Sequence, residues 1–141
     1  MSTAPAASTP ADVAASDGFR QFVELQAKYA EATSQMKNLR AAVQQREHDR
    51  QRARLTVKEM EGVETSARLF KPLGRSFVME GRDALVKGLE ETSANASAEI
   101  EKAMAQREYL AKKLSDVETN LRELMQGNDA LAKELQERGV I

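Results

Sequence analysis

Between Ala67 and Met79 the chain runs Ala-Arg-Leu-Phe-Lys-Pro-Leu-Gly-Arg-Ser-Phe-Val-Met, and no other stretch has the pattern of β-structure. Leu69, Phe70 and Leu73 precede Gly74; Phe77, Val78 and Met79 follow it. Two short apolar runs about one glycine spell a β-hairpin, because glycine takes the positive φ of a tight turn without steric cost. Pro72 has no N–H to give to a ladder, so its strand is an edge or is already turning there. An isolated hairpin is marginal in water and offers two open edges with several large apolar side chains. Nothing else in the chain can supply a third strand. The sequence therefore predicts an obligate oligomer, with Leu69, Phe70, Leu73, Gly74, Phe77, Val78 and Met79 as its assembly residues. The competing arrangement, a hairpin folded onto its own helices, would leave one of its two faces uncovered.

The flanking segments have the composition of long helices. Ala, Glu, Lys, Leu and Arg make up about half of the 141 residues, as expected of coiled coils. Aromatic residues are 4% of the chain, too few for a thick globular core, so burial should lie along a thin helix–helix seam. Apolar residues recur in alternating steps of three and four at Phe22, Leu25, Tyr29, Ala32, Met36, Leu39 and Val43, which holds one stripe toward a partner helix. The same phase then meets Arg46, Arg50 and Ala53. Thr56-Val57-Lys58-Glu59 fits a capping box and predicts a separate short helix. Beyond the hairpin, Gly81 serves as an N-cap with Asp83 in the first turn. A second stripe follows at Val86, Leu89, Ser93, Ala96, Ile100, Ala103, Arg107, Leu110, Leu114, Val117, Leu121, Leu124, Asn128, Leu131 and Leu135. Gly127-Asn128 is a point where this helix can fray or end. Glu24–Lys28, Glu108–Lys112, Glu118–Arg122 and Glu134–Arg138 have the spacing of favourable helix pairs.

The expected fold class is all-α dominated: an antiparallel coiled-coil hairpin with a single β-hairpin between its two long helices. Residues 1–16, rich in Ala, Ser, Thr and Pro, form a disordered tail, with Ser16 or Asp17 as the helix cap. Residues 17–138 form one domain, comprising an N-terminal helix at 17–55, a short helix at 56–64, the hairpin at 66–80 and a C-terminal helix at 81–138. Antiparallel packing places the stretch from Arg46 to Arg54 near the small residues between Thr92 and Ala98, and Phe19 and Phe22 near the far end of the second helix.

The same residues exclude much chemistry. There is no cysteine, hence no disulfide scaffold, thiolate metal site or cysteine nucleophile. A net charge of −1 supplies no field toward nucleic acid or an anionic membrane. No apolar run approaches a membrane span, and neither a secretory signal nor a transit peptide is visible. Glu90 and Glu91 point to different helix faces and make no acid–base dyad. Gly74, Gly81 and Gly88 match no phosphate-cradling loop. His48 stands without a second histidine, as a surface residue. The run from Arg46 to Arg54 carries an excess of only two positive charges, so it is a solvated face or a subunit contact before it is a phosphate site. No catalytic residue, metal site or cofactor is expected.

Four local motifs, in order, carry a resemblance. Phe22-Val23-Glu24-Leu25-Gln26-Ala27-Lys28, Leu55-Thr56-Val57-Lys58-Glu59, Phe70-Lys71-Pro72-Leu73-Gly74-Arg75-Ser76-Phe77-Val78 and Asn120-Leu121-Arg122-Glu123-Leu124 resemble the first helix, linker, hairpin and tail of β-class prefoldin subunits, in particular the subunit 1 branch of that family. Phe70 stands where the family usually has tyrosine, Pro72 is unusual in the strand, and Gly81 replaces a common serine cap. The resemblance implies a cytoplasmic, heterohexameric, ATP-independent chaperone with two α-type and four β-type chains. Its partners would be the other subunits, a chaperonin, and unfolded clients such as nascent actin and tubulin, with no membrane or nucleic acid. It also implies an apolar client-binding tip, for which Phe19, Phe22, Val23, Leu121, Leu124, Met125, Leu131 and Leu135 are the candidates. Phe22, Leu121 and Leu124 lie on the seam, where zipping the helices together is the simpler role; Phe19, Val23 and Met125 lie off it and are the better contacts. A structural coiled-coil tether, whose hairpin merely docks on a partner, is the alternative, and a nucleic-acid-binding coiled coil the lesser one.

Overall fold

The computed structural model describes residues 16–140; of the expected tail at residues 1–16, all but Ser16 lies outside them. The element order is α1 (Asp17–Glu61), β1 (Phe70–Leu73), β2 (Ser76–Met79), α2 (Arg82–Gln126) and α3 (Asp129–Glu137). Two long helices thus flank a two-stranded antiparallel hairpin, as the periodicity predicts. The described chain divides into two compact units, residues 16–36 with 109–140 and residues 37–108.

In the second unit the helices run antiparallel. Arg46 Nε lies 3.5 Å from Glu99, and Arg50 reaches Ser97 Oγ at 3.5 Å, so rising numbers on α1 meet falling numbers on α2. Ala53 and Ala96 are buried there. Both belong to the predicted stripes, and their small side chains permit the close approach.

The expected break before Thr56 does not occur. The Thr56 hydroxyl donates to the Arg52 carbonyl at 2.7 Å, the back-bond of a helix interior rather than an N-cap. The spacing carries the reason. After Arg46, Arg50 and Ala53, the three–four steps continue to Val57 and Met60, both half-buried, so the stripe that drives the helix never stops.

The last turn of α1 and the segment after it find a shared donor outside the helix. The Arg82 guanidinium, from the first residue of α2, donates to the carbonyls of Met60 (2.6 Å), Val63 (2.9 Å) and Glu64 (2.7 Å). Helix C-termini leave four acceptors unpaired; Arg82 takes one of them, at Met60, and its bonds to Val63 and Glu64 tie the segment after α1 to the start of α2. The Gly81 carbonyl accepts from Leu85 at 3.0 Å, with Asp83 in the first turn.

In the first unit Ala32, Leu110 and Val117 are buried, all on the predicted stripes. The expected single C-terminal helix to residue 138 is instead two. Asn128 adopts φ −145° and ψ 84°, and its side chain accepts from the Leu131 N–H at 3.0 Å, so it opens a new helix. Asparagine competes for backbone bonds in this way, and glycine at 127 weakens the helix before it. α3 closes with Gly139 at φ 73°. There the Val140 N–H donates to Leu135 and the Gly139 N–H to Gln136, a Schellman termination. Of the four expected helix ion pairs, Glu24–Lys28 (3.4 Å) and Glu134–Arg138 (3.3 Å) form.

Candidate functional site

The hairpin pairs Phe70 with Met79, Lys71 with Val78, Pro72 with Phe77 and Leu73 with Ser76. Its two-residue turn has Gly74 at φ 62° with no other positive φ beside it, the type II′ pattern that matches strand twist. Ser76 Oγ donates to the Leu73 carbonyl at 2.9 Å. The tight bonds of such a hairpin alternate with open pairs. The Glu80 N–H bonds the Leu69 carbonyl at 3.1 Å, in step with the closing pair Leu73–Ser76. Pro72 and Phe77 therefore form an open pair, and the absent N–H of Pro72 costs the internal ladder nothing.

Cross-strand partners share a face, so Phe70, Pro72, Phe77 and Met79 make one wholly apolar face. Of the expected assembly residues, Leu69 is half-buried and the others are exposed: Phe70 is 54% accessible, Leu73 62%, Phe77 71% and Met79 63%. Among the described residues nothing covers them, so the hairpin is not folded onto its own helices. Beside it, an open cleft of about 560 Å³ is lined by Ala53, Met60, Phe70, Pro72, Leu85 and Gly88, among others.

The eight expected tip residues fall into two groups. Phe22, Leu131 and Leu135 are buried together, with Phe19, Leu121, Leu124 and Met125 packed half-buried around them. Val23 is exposed, outside the cluster. Polar contacts hold α3 over this cluster. Ser16 Oγ accepts from the Phe19 N–H at 3.1 Å, capping α1, and donates to Glu134, while its own N–H reaches Glu134 Oε1 at 3.5 Å. The Arg138 guanidinium lies 4.3 Å above the Phe19 ring and 3.3 Å from Glu134. These bonds from Ser16, with Arg138 adding to them, hold the Glu134 carboxyl below its ordinary value against a smaller opposing effect of burial.

Two guanidinium groups in the Arg46–Arg54 stretch have carboxylate partners in the chain: Arg50 meets Glu47 at 2.6 Å, and Arg46 meets Asp49 and Glu99. His48 is exposed, and among the described residues no group of His, Cys, Asp and Glu could hold a metal ion. Ser16 as a cap and Glu134–Arg138 as a pair are expected from sequence and are present; sequence reasoning missed Arg82 and the link from Ser16 to Glu134. No periodicity marks Arg82's bonds or the Ser16–Glu134 link, since each joins residues far apart in the chain; only Arg82 at a helix start, opposite a helix end, gives a hint.

The family profile described as "Prefoldin subunit" matches residues 23–128. Prefoldin subunit 1 of Arabidopsis thaliana is 32% identical over 81% of this chain and 89% of its own length. Prefoldin subunit 1 of Danio rerio is 27% identical over 79% of the chain and 91% of its own length, and that of Homo sapiens 24% over the same shares. With two long helices about one apolar, uncovered hairpin and a family match over most of its length, the chain belongs to the prefoldin subunit family.

Proposed function

We propose that this chain is one β-type subunit of a hexameric, ATP-independent co-chaperone that binds unfolded proteins, nascent actin and tubulin among them, and delivers them to a cytosolic chaperonin. It sits beside two α-type and three other β-type chains and works in the cytoplasm; no helix among the described residues is long and apolar enough to cross a membrane. The observation that carries this reading is the exposed apolar face of Phe70, Pro72, Phe77 and Met79 on a chain of this family. Burying one large apolar side chain yields about 1.5–3 kcal/mol, so hairpin-on-hairpin assembly has a strong drive. Several weak tip contacts on one assembled body then add through effective concentration, which gives capture without an energy source.

The test is affinity purification of the tagged full chain with mass measurement, followed by suppression of aggregation of a denatured test protein. Five further prefoldin-type chains at a hexamer mass, together with suppression, are the expected result. The burial of Phe22, Leu131 and Leu135 favours a second reading, the structural tether. A hexamer that suppresses no aggregation would select it.

A further inference from the structure

The family match stops at residue 128, and α3 starts at Asp129. What lies past the match buries the tip: Leu131 and Leu135, one turn apart, are 1% and 0% exposed against Phe22. A nine-residue helix is not stable alone in water, so α3 owes its helicity to seating these two leucines. Its outward side is polar, with Lys133, Gln136 and Glu137 exposed. Only Gly127 and Asn128 join it to α2. The ties that hold it shut, Ser16 to Glu134 and Arg138 to Glu134 and Phe19, lie at its rim.

We propose that α3 is a displaceable lid: in cis it occupies an apolar surface made by Phe19, Phe22, Leu121, Leu124 and Met125, which an amphipathic helical segment of a client, with two leucines one turn apart, takes when α3 swings out on Gly127. The occupant is defined by α3 itself, which shows what the surface accepts. This deepens the client-binding reading above and rests on it. The lid keeps the apolar cluster dry until a client competes for it, and Val23, already exposed beside Phe22, is a first foothold.

The test uses the full chain and a fluorescein-labelled peptide of residues 128–138 as the probe. A Cβ at Gly18 would lie 3.8 Å from that of Leu131, within disulfide reach, and the chain has no other cysteine. The same Cβ would lie 2.9 Å from Asn128 Nδ2, so that amide end must move aside. In Gly18→Cys/Leu131→Cys the lid is tied when oxidised and released when reduced, in one and the same protein. Fluorescence anisotropy should show the reduced form binding the probe at least tenfold more tightly than the oxidised form. Leu131→Asp/Leu135→Asp, whose lid cannot seat, should bind it at least as well as the reduced form. An unrelated peptide with leucines at i and i+4 should displace the probe, and its Leu→Asp version should not.

Equal binding by the oxidised and reduced forms, no binding by the double aspartate variant, or displacement by the α3 sequence alone would each overturn the proposal. The assay needs neither partner subunits nor a client, so its failure is distinct from failure of the chaperone reading.

Discussion

Glu134 is held below its ordinary carboxyl value by bonds from Ser16 first and Arg138 second. A carboxyl that binds its proton less tightly folded than unfolded contributes fully above the ordinary carboxylate range and loses that contribution as pH falls through the lowered value. Acidification should therefore loosen α3 before α2: the protection of α3 amides, relative to their intrinsic exchange rate at each pH, should drop as pH falls through that window, and Glu134→Gln should flatten the response. Arg82 is the second residue whose role only contacts reveal. Its three carbonyl bonds join the last turn of α1 and the segment after it to the start of α2, and a hydrogen bond from a charged donor contributes roughly 1.5–3 kcal/mol. Arg82→Ala should destabilise the full chain by about 2 kcal/mol in denaturant unfolding, and Arg82→Lys, which lacks the planar fork, should recover less than half. Gly88 lies inside α2 with nothing within 4 Å of an added Cβ. Gly88→Ala should raise stability by about 1 kcal/mol.

At the scale of elements, the hairpin has unequal edges. The outward backbone groups of the ladder belong to the open pairs. β2 presents the N–H groups of Phe77 and Met79, while β1 presents that of Phe70 and, at Pro72, none. A neighbouring strand should thus add to β2. Phe77→Pro should cut the yield of assembled complex at least tenfold in size-exclusion chromatography, more than Phe77→Ala, while Phe70→Pro should do no more than Phe70→Ala. The helices carry a different lesson. The stripes from Phe22 to Ala53 and from Val86 to Val117 were legible because burial repeats every three to four residues. The helix end at residue 55 was misread at Thr56, whose motif suits a cap while its hydroxyl bonds back to Arg52. A local motif lost to an apolar period that ran on through Val57 and Met60 to Glu61.

For the molecule as a whole, assembly should hide the hairpin and leave the outer helix surface alone. Hydroxyl-radical footprinting should show Phe70 and Phe77 protected in the purified complex, with Tyr109, 65% exposed in the single chain, labelled as before. Equal labelling of Phe77 in both states would place assembly elsewhere. The linear order of residues was enough to determine two long helices, a hairpin about Gly74 and the apolar residues at each, since these follow from periodicity and from backbone freedom, both local properties. The direction in which Leu131 and Leu135 turn was settled only by the fold. Their spacing continues the stripe of α2, yet Asn128 starts a fresh helix that seats them on Phe22 under Ser16, Glu134 and Arg138. Residues more than a hundred positions apart meet there, and a contact of that range depends on where the backbone goes, which no local pattern encodes.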